Sequence, residues 1–311
     1  MITFRKKGML TTVQDLGRIG YQRYGMPVCG AMDHYAMELA NILVGNSRGE
    51  AVIEATVMGP TIVFDEAEIF AICGGDFGPT LNGQPIENHR AYLAQTGDVL
   101  ALPMAKAGAR AYIAFAGGLD IEEVMGSRST FLKGGVGGLD GRAIRDGDEI
   151  GLRAPCDWLP DLDERSVPEK LRPTLQDHIE VRFTYGPQDD LFSAAGKQTF
   201  TTSEYALSDK SDRMGFRLDG PAVERAAGSD GNIISDGICF GAIITMGWPL
   251  VIWMAPKQMP SEMMLPSLPA ARSTAGPSNR KPMRSLLSLR VYSLAAKVRL
   301  PAALNRSSWG P

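Results

Sequence analysis

The sequence has little histidine and cysteine, and it lacks the short motifs that identify most enzymes. Three histidines and four cysteines occur in 311 residues, and no two cysteines form a C-x-x-C pair. Disulfide frameworks and metal sites built from these residues are therefore disfavoured. No Walker A loop, H-E-x-x-H, G-x-S-x-G or dinucleotide fingerprint is present, so no standard catalytic signature is available.

The chain also lacks an apolar run long enough to cross a membrane or to act as a signal peptide. Because cysteines are few, we expect a cytoplasmic protein that contacts no membrane. The charge of −3 at pH 7 is unevenly spread, since residues 254–311 carry +8 and leave −11 on the remainder (−3 minus +8). The acidic remainder argues against nucleic acid as a partner.

Residues 254–311 have a separate origin, which the genetic code reveals. Each residue of 186–243 can be matched with the residue whose number brings the sum to 497, and the first two bases of their codons are then reverse complements. Gln188 (CA), for example, faces Trp309 (TG). The rule fails at four pairs: Gln198/Arg299, Thr201/Ala296, Thr202/Ala295 and Ala206/Val291. We infer that 254–311 is translated from the opposite strand of the DNA that encodes 186–243.

Hydrophobic periodicity divides the rest of the chain into two β-rich units. Residues 32–43 are the best helix candidate, because their apolar side chains recur at helical spacing. From residue 51 to 150, short β-rich runs alternate with Gly, Asp and Pro, a pattern typical of a barrel or sandwich. The predicted organisation is a first subdomain (1–156), a linker (157–178), an incomplete second subdomain (179–243) and a non-native, poorly ordered tail (244–311). Within the tail, residues 286–300 are apolar enough to form a helix.

Loops of small residues that carry charge are abundant. Five stand out: TTVQDLGR (11–18), GAMD (30–33), GGD (74–76), GSRST (126–130) and SDRMG (211–215). Backbone amides in such loops bind carboxylate or phosphate oxygens, and an arginine adds two parallel hydrogen bonds. In the alternative interpretation, Asp15 with Arg18 and Asp212 with Arg213 are pairs that stabilise turns. The glycine-rich segment 134–141 is expected to be a flexible loop that covers a site.

These motifs resemble, in order, the family of the 5-oxoprolinase C subunit, also known as allophanate hydrolase subunit 2 and as the biotin-dependent carboxyltransferase domain of urea carboxylases. The resemblance rests on TTVQDLGR, GYQRYGMPVCGAMD, AGGLD, MGSRST, GGLDGR and SDRMGFRLDGP, and it extends from residue 1 to about 243. It implies a mainly β fold with few helices (α+β), built as two cyclophilin-like β-barrel subdomains of which the second is truncated. Further on, the family has an Asp-Arg-Gln-Thr-Thr-Gly-Gly-Tyr-like loop where this chain reads MAPKQMPSEMM, so we expect this chain to be impaired.

The resemblance implies one component of an ATP-dependent 5-oxoprolinase that opens 5-oxoproline to glutamate. Its partners would be a homologous cyclophilin-like B subunit and a lactam-utilisation A subunit, with ATP bound at the complex rather than by this chain. Two alternatives stay open: biotin-dependent carboxyl transfer to urea, with biotin as cofactor, and a non-enzymatic regulator that binds a kinase inhibitor. The candidate site residues are Asp212, Arg213 and Asp76 for catalysis, Ser211, Arg128, Asp33 and Arg18 for substrate binding, and none for a metal.

Overall fold

The fold is known from a computed structural model, which confirms that the chain is mainly β. It describes residues 1–155, 162, 165–175, 178–186, 188–208, 211, 216–229, 243–245, 250–252 and 294–299. These residues contain two α-helices and seventeen β-strands, arranged in three sheets. No helix within the ranges just given is long and apolar enough to cross a membrane.

The first unit consists of two sheets and one helix. Its elements are β1 (Ile2–Lys6), β2 (Leu10–Gln14), α1 (His34–Leu43), β3 (Val52–Thr56), β4 (Thr61–Phe64), β5 (Glu68–Asp76), β6 (Thr80–Leu81), β7 (Gln84–Pro85), β8 (Arg90–Ala94), β9 (Val99–Ala101), β10 (Ala107–Phe115) and β11 (Glu149–Ile150). The strand orders are β11-β1-β4-β9-β6-β7 and β2-β3-β10-β5-β8. Neither order closes on itself in the part of the chain that the structure describes, so each sheet is open.

The main core of the first unit takes side chains from both sheets. Phe4 and Phe64 of the six-stranded sheet join Phe70 and Phe115 of the five-stranded sheet, and all four rings are fully buried. The centroid of the Phe64 ring lies 5.2 Å from that of Phe70 and 6.2 Å from that of Phe115. Burying one such side chain contributes about 1.5–3 kcal/mol, so this cluster holds the two sheets together.

Helix α1 packs on the five-stranded sheet. It follows Asp33, whose carboxylate accepts a hydrogen bond from the amide of Ala36 (3.0 Å) and so caps the first turn. The buried residues of the helix pack with residues of the sheet that include Cys73, Tyr112 and Ala114. The helix predicted over residues 32–43 is confirmed, although it begins at His34. The apolar spacing predicts that Tyr35 faces the core, but Tyr35 is exposed and Met37 is buried.

Part of the segment predicted to be a linker contacts the first unit. The amide of Val167 donates to the carbonyl of His89 (2.8 Å), and the amide of Ala91 donates to the carbonyl of Arg165 (2.8 Å). Leu162 and Val167 are buried in the cluster that contains α1. The packing of the first unit therefore extends beyond residue 156.

The second unit contains one helix and the third sheet. Its elements are β12 (His178–Phe183), α2 (Ala194–Thr202), β13 (Glu204–Leu207), β14 (Phe216–Asp219), β15 (Ile243–Thr245), β16 (Leu250–Ile252) and β17 (Leu294–Arg299), and the strand order is β12-β17-β13-β14-β16-β15. Strand β17, from the segment inferred to be antisense, pairs antiparallel with β12 and parallel with β13. The prediction of a helix over residues 286–300 is therefore wrong for Leu294–Arg299, which form a strand.

Candidate functional site

Four of the glycine-containing segments meet at the end of β2. We call residues 11–18, 30–33, 126–130 and 134–141 the loop cluster. Three backbone hydrogen bonds join its segments: the amide of Ala31 to the carbonyl of Asp15 (2.8 Å), that of Thr130 to Val13 (2.9 Å) and that of Gly138 to Arg128 (2.9 Å). The structure thus unites loops that are more than a hundred residues apart in the sequence.

Asp15 organises the loop cluster. Its buried carboxylate accepts four hydrogen bonds, from the amides of Gly17 (2.7 Å) and Arg128 (2.5 Å) and from the hydroxyls of Ser127 (2.7 Å) and Ser129 (2.5 Å). These donors replace the water that the carboxylate loses on burial. Neither serine was among the residues predicted for the site, although their position on either side of Arg128 in GSRST is a signal for it.

Arg18 is fully buried although it carries a positive charge. Its guanidinium donates to two carbonyls, that of Ser129 through Nη2 and that of Val124 through Nε at 3.5 Å, whereas Nη1 has no hydrogen-bond partner. None of the ion pairs between described residues includes Arg18, so the turn-stabilising pair with Asp15 is not formed. A buried cation without a counter-charge is costly, which makes this position suited to an anionic ligand.

Arg128, the other arginine predicted to bind substrate, is engaged with protein groups. Its Nη1 lies 2.9 Å from a carboxylate oxygen of Glu123 and 3.5 Å from one of Glu50, and its Nε donates to the carbonyl of Ile121 (2.7 Å). Glu50 is also paired with Arg153 at 2.6 Å. Arg128 therefore holds its own loop in place and, in this structure, does not present its guanidinium to a ligand.

Asp33, the last residue of segment 30–33 of the loop cluster, belongs to a buried polar network. Its amide donates to the hydroxyl of Tyr112 (2.7 Å), and the preceding amide, of Met32, donates to the carboxylate of Glu54 (2.9 Å). Burial raises the pKa of Asp33 to about 7, although the hydrogen bond from the amide of Ala36 acts in the opposite direction. A carboxyl group that titrates near neutral pH is suited to give or take a proton.

Asp76 lies apart from the loop cluster. It is the last residue of β5, and its exposed carboxylate accepts a hydrogen bond from the amide of Gly78 (2.8 Å). The register places Val13 level with Ile72, three strands away and four residues before Asp76. With the usual spacings of a sheet, Asp76 is on the order of 20 Å from the end of β2. The structure does not bring it together with Arg18.

Of the predicted loop SDRMG (211–215), the structure describes only Ser211. This residue is buried, and its hydroxyl accepts from the amide of Arg217 (3.0 Å) and donates to the carbonyl of the same residue (3.3 Å). Ser211 thus holds the connection between β13 and β14. Asp212 and Arg213 lie outside the described residues, so their catalytic roles stay predictions. Across the described part of the chain, no three potential metal ligands form a group.

Comparison with known proteins places these loops in a family. Residues 24–259 match the family described as the carboxyltransferase domain, subdomain A and B. The C subunit of 5-oxoprolinase from Escherichia coli K12 is 34% identical over 255 residues, which cover 81% of this chain and 79% of that protein. The urea amidolyase of Lachancea kluyveri is 38% identical over 238 residues, which cover 73% of this chain and 13% of that much longer protein.

A solved structure agrees with the sequence comparisons. The urea amidolyase of K. lactis superposes with a TM-score of 0.74 at 33% identity, over 82% of this chain and 16% of that chain. Both the fold and the resemblance predicted from the motifs are therefore confirmed. The chain belongs to the carboxyltransferase domain family, subdomain A and B.

Proposed function

We propose that this chain is the C subunit of an ATP-dependent 5-oxoprolinase, which opens 5-oxoproline to glutamate together with partner subunits. The observation that carries the proposal is the fully buried guanidinium of Arg18, whose Nη1 has no partner. An anion stabilises a buried cation of this kind, above all through charged hydrogen bonds. 5-Oxoproline carries a carboxylate that can pair with Arg18. Because the carboxybiotin of the alternative reaction also carries a carboxylate, the preference for 5-oxoprolinase comes from the relatives: the match covers 79% of the C subunit from Escherichia coli and 13% of the yeast urea amidolyase.

The remaining groups of the loop cluster have distinct proposed roles. Asp15 fixes the loops through its four hydrogen bonds, so that Arg18 is held in one position. Ring opening breaks the lactam C–N bond, and the departing nitrogen needs a proton. Asp33, with a pKa raised by burial to about 7, is our candidate for that donor.

ATP is proposed to bind to the complex rather than to this chain. The glycine-rich segment 134–141 is the nearest analogue of a phosphate loop, but its amides are used within the protein. Gly138 donates to the carbonyl of Arg128 (2.9 Å), and Gly141 donates to that of Gly137 (2.8 Å). Two bacterial relatives are named as C subunits of 5-oxoprolinase, which supports partners for this chain, proposed here as the A and B subunits.

Reconstitution tests this function. The chain is co-expressed with the A and B subunits, and ATP-dependent release of glutamate from 5-oxoproline is measured. Carboxylation of urea is measured in parallel, with a biotin carboxylase, a biotin carrier protein, ATP and bicarbonate added to supply carboxybiotin. Both assays are repeated with a version in which residues 244–311 are replaced by the corresponding segment of the Escherichia coli relative, because we expect the non-native tail to impair the chain. Glutamate release by the replaced version is the expected result. Urea carboxylation without glutamate release would overturn the proposal in favour of carboxyl transfer.

A further inference from the structure

A second polar atom in the loop cluster is buried without a partner. Gln14, the last residue of β2, is 1% exposed, and its Nε2 donates to the hydroxyl of Thr12 (3.0 Å) and to the carbonyl of Thr130 (3.3 Å). Its Oε1 accepts no hydrogen bond. An unpaired buried polar atom costs about 1–3 kcal/mol and is uncommon in native proteins. The loop cluster contains two, one donor on Arg18 and one acceptor on Gln14.

The two side chains approach the same dipeptide. Arg18 donates through Nη2 to the carbonyl of Ser129, and Gln14 donates through Nε2 to the carbonyl of Thr130, the next residue. The unpaired Nη1 and Oε1 each belong to the same terminal group as one of these bonded nitrogens. A charged donor and a neutral acceptor therefore flank one short stretch of backbone. A ligand that carries a carboxylate and an N–H on the same carbon would offer an acceptor to Nη1 and a donor to Oε1.

Two glycines lie against Arg18 and against the dipeptide Ser129–Thr130. A Cβ at Gly137 would collide with Nη2 of Arg18 and with the carbonyl oxygen of Ser129, and a Cβ at Gly138 would collide with the hydroxyl of Thr130. The backbone of residues 137–138 can lie this close only because neither residue has a side chain. Since Arg18 is fully buried beneath it, a ligand reaches the guanidinium only when this segment moves.

We propose that Nη1 of Arg18 and Oε1 of Gln14 form a specificity subsite for small carboxylates that carry an adjacent N–H, with residues 137–138 as its cover. The inference rests on the proposed function. In 5-oxoproline the carboxylate is attached to the carbon next to the ring N–H, so one ligand satisfies both atoms. Urea offers an N–H to Gln14 and leaves Arg18 unpaired.

A ligand series tests the subsite on the full chain without partners. Isothermal titration calorimetry compares 5-oxoproline with 2-pyrrolidinone, which lacks the carboxylate, with cyclopentanecarboxylate, which lacks the N–H, and with urea. Loss of a bond to the charged donor should weaken binding about 10- to 100-fold, and loss of the neutral bond about 3- to 10-fold. Equal affinity for 5-oxoproline and 2-pyrrolidinone would overturn the proposal. Absence of 5-oxoproline binding would overturn it as well, because water would then satisfy both atoms.

Variants locate the effect. In Arg18→Gln, the preference for 5-oxoproline over 2-pyrrolidinone should disappear, whereas Arg48→Gln, on the surface beside Glu38, should keep it. Both affinities are measured on one sample, so a reduced folded fraction cancels in their ratio. An unchanged preference in Arg18→Gln would assign the carboxylate to another residue. Turnover of 5-oxoproline by the reconstituted complex, combined with such a result, would reject the subsite and leave the proposed function intact.

Discussion

The two units of the chain acquire their sheets in different ways. In the first unit, strands from residues 2–150 build two sheets around one shared core. In the second unit, the place between β12 and β13 is taken by β17, which comes from the segment inferred to be antisense. The pairing rule makes β17 the opposite-strand copy of residues 198–203, which include the end of α2. One stretch of DNA thus encodes helical residues on one strand and a β-strand on the other.

This difference shows that pairing in a β-sheet requires little of the sequence of a strand. Three of the four pairs that break the rule lie in β17, at Ala295, Ala296 and Arg299. The strand nevertheless pairs with β12 at six positions, from His178↔Arg299 to Phe183↔Leu294. Unpaired backbone groups of a strand can form hydrogen bonds with almost any extended segment. A packed core, by contrast, accommodates only side chains of matching shape. We therefore expect the first unit to be the more sensitive to substitution of its core.

The largest expected effect is on that core. Phe115→Ala should lower the free energy of unfolding of the first unit by about 3–5 kcal/mol, because a fully buried ring leaves a cavity. Phe216→Ala in the third sheet should cost less, about 1–3 kcal/mol, since its ring is less completely buried (7% exposed) than that of Phe115. Urea denaturation followed by circular dichroism measures each loss, and pulse proteolysis assigns it to a unit. Equal losses would show that the two cores are equally well packed.

The next effect contrasts two aspartates. Asp15→Asn should destabilise the first unit by about 2–4 kcal/mol, because the loss of charge weakens all four hydrogen bonds and an amide nitrogen in place of Oδ2 cannot accept from the amide of Arg128. Asp76→Asn is the matched control, and its exposed site should change stability by less than about 0.5 kcal/mol. Thermal unfolding of both variants gives the comparison. A small effect at Asp15 would mean that the loop cluster is held by its backbone bonds alone.

Much of the fold follows from the sequence because local periodicity fixes local structure. Residues 32–43 indicate a helix, and α1 spans His34–Leu43. The Gly-Asp pairs at 97–98 and 147–148 predict strands directly after them, which are β9 and β11. In each of these, one turn and a few apolar residues suffice to predict the element.

The site was less predictable because it depends on strand order. Arg18 and Asp76 look alike in sequence, since each follows a small-residue turn. Pairing of β2 with β3 and of β5 with β10 places them at different ends of one sheet. Three of the four hydrogen bonds of Asp15 join it to residues that lie 112 to 114 positions away in the sequence, and only the bond to Gly17 is local. Periodicity holds no information on such distant pairs.

A pH-dependent effect should distinguish Asp33 from the other buried groups. Burial raises its pKa from 3.8 to about 7, so the folded state holds a proton that the unfolded state has lost. The stability from this group is therefore complete below about pH 4 and is lost as the pH rises to 7. Asp33→Asn keeps an oxygen to cap α1 and cannot ionise. Between pH 4 and pH 8, the free energy of unfolding of Asp33→Asn should rise by about 1–3 kcal/mol relative to that of the unaltered chain.

The free energies of unfolding of Asp33→Asn and of the unaltered chain are measured by urea denaturation at pH 4, 6 and 8. Burial also raises the pKa of Glu68 to about 7 and lowers that of His89 to about 4, but both groups are present in both proteins and cancel in the difference. A difference that stays constant with pH would show that Asp33 is ionised throughout, and it would remove Asp33 as the proton donor proposed above.

The smallest expected effect tests whether β17 contributes to the second unit at all. Val298 pairs with Ile179 of β12 on one side and with Tyr205 of β13 on the other, so its N–H faces a neighbouring strand in either orientation. Val298→Pro removes that donor, which should cost about 1 kcal/mol. Hydrogen exchange should then become faster at the amides of β12 and β13 and stay unchanged in the first unit. Ser307→Pro makes the same change in the same segment outside β17, and it should leave both strands as protected as before. If the two variants exchange alike, β17 makes no lasting pairing in solution. Residues 254–311 would then be poorly ordered, as expected of a sequence that arose from the opposite DNA strand and was never selected for burial.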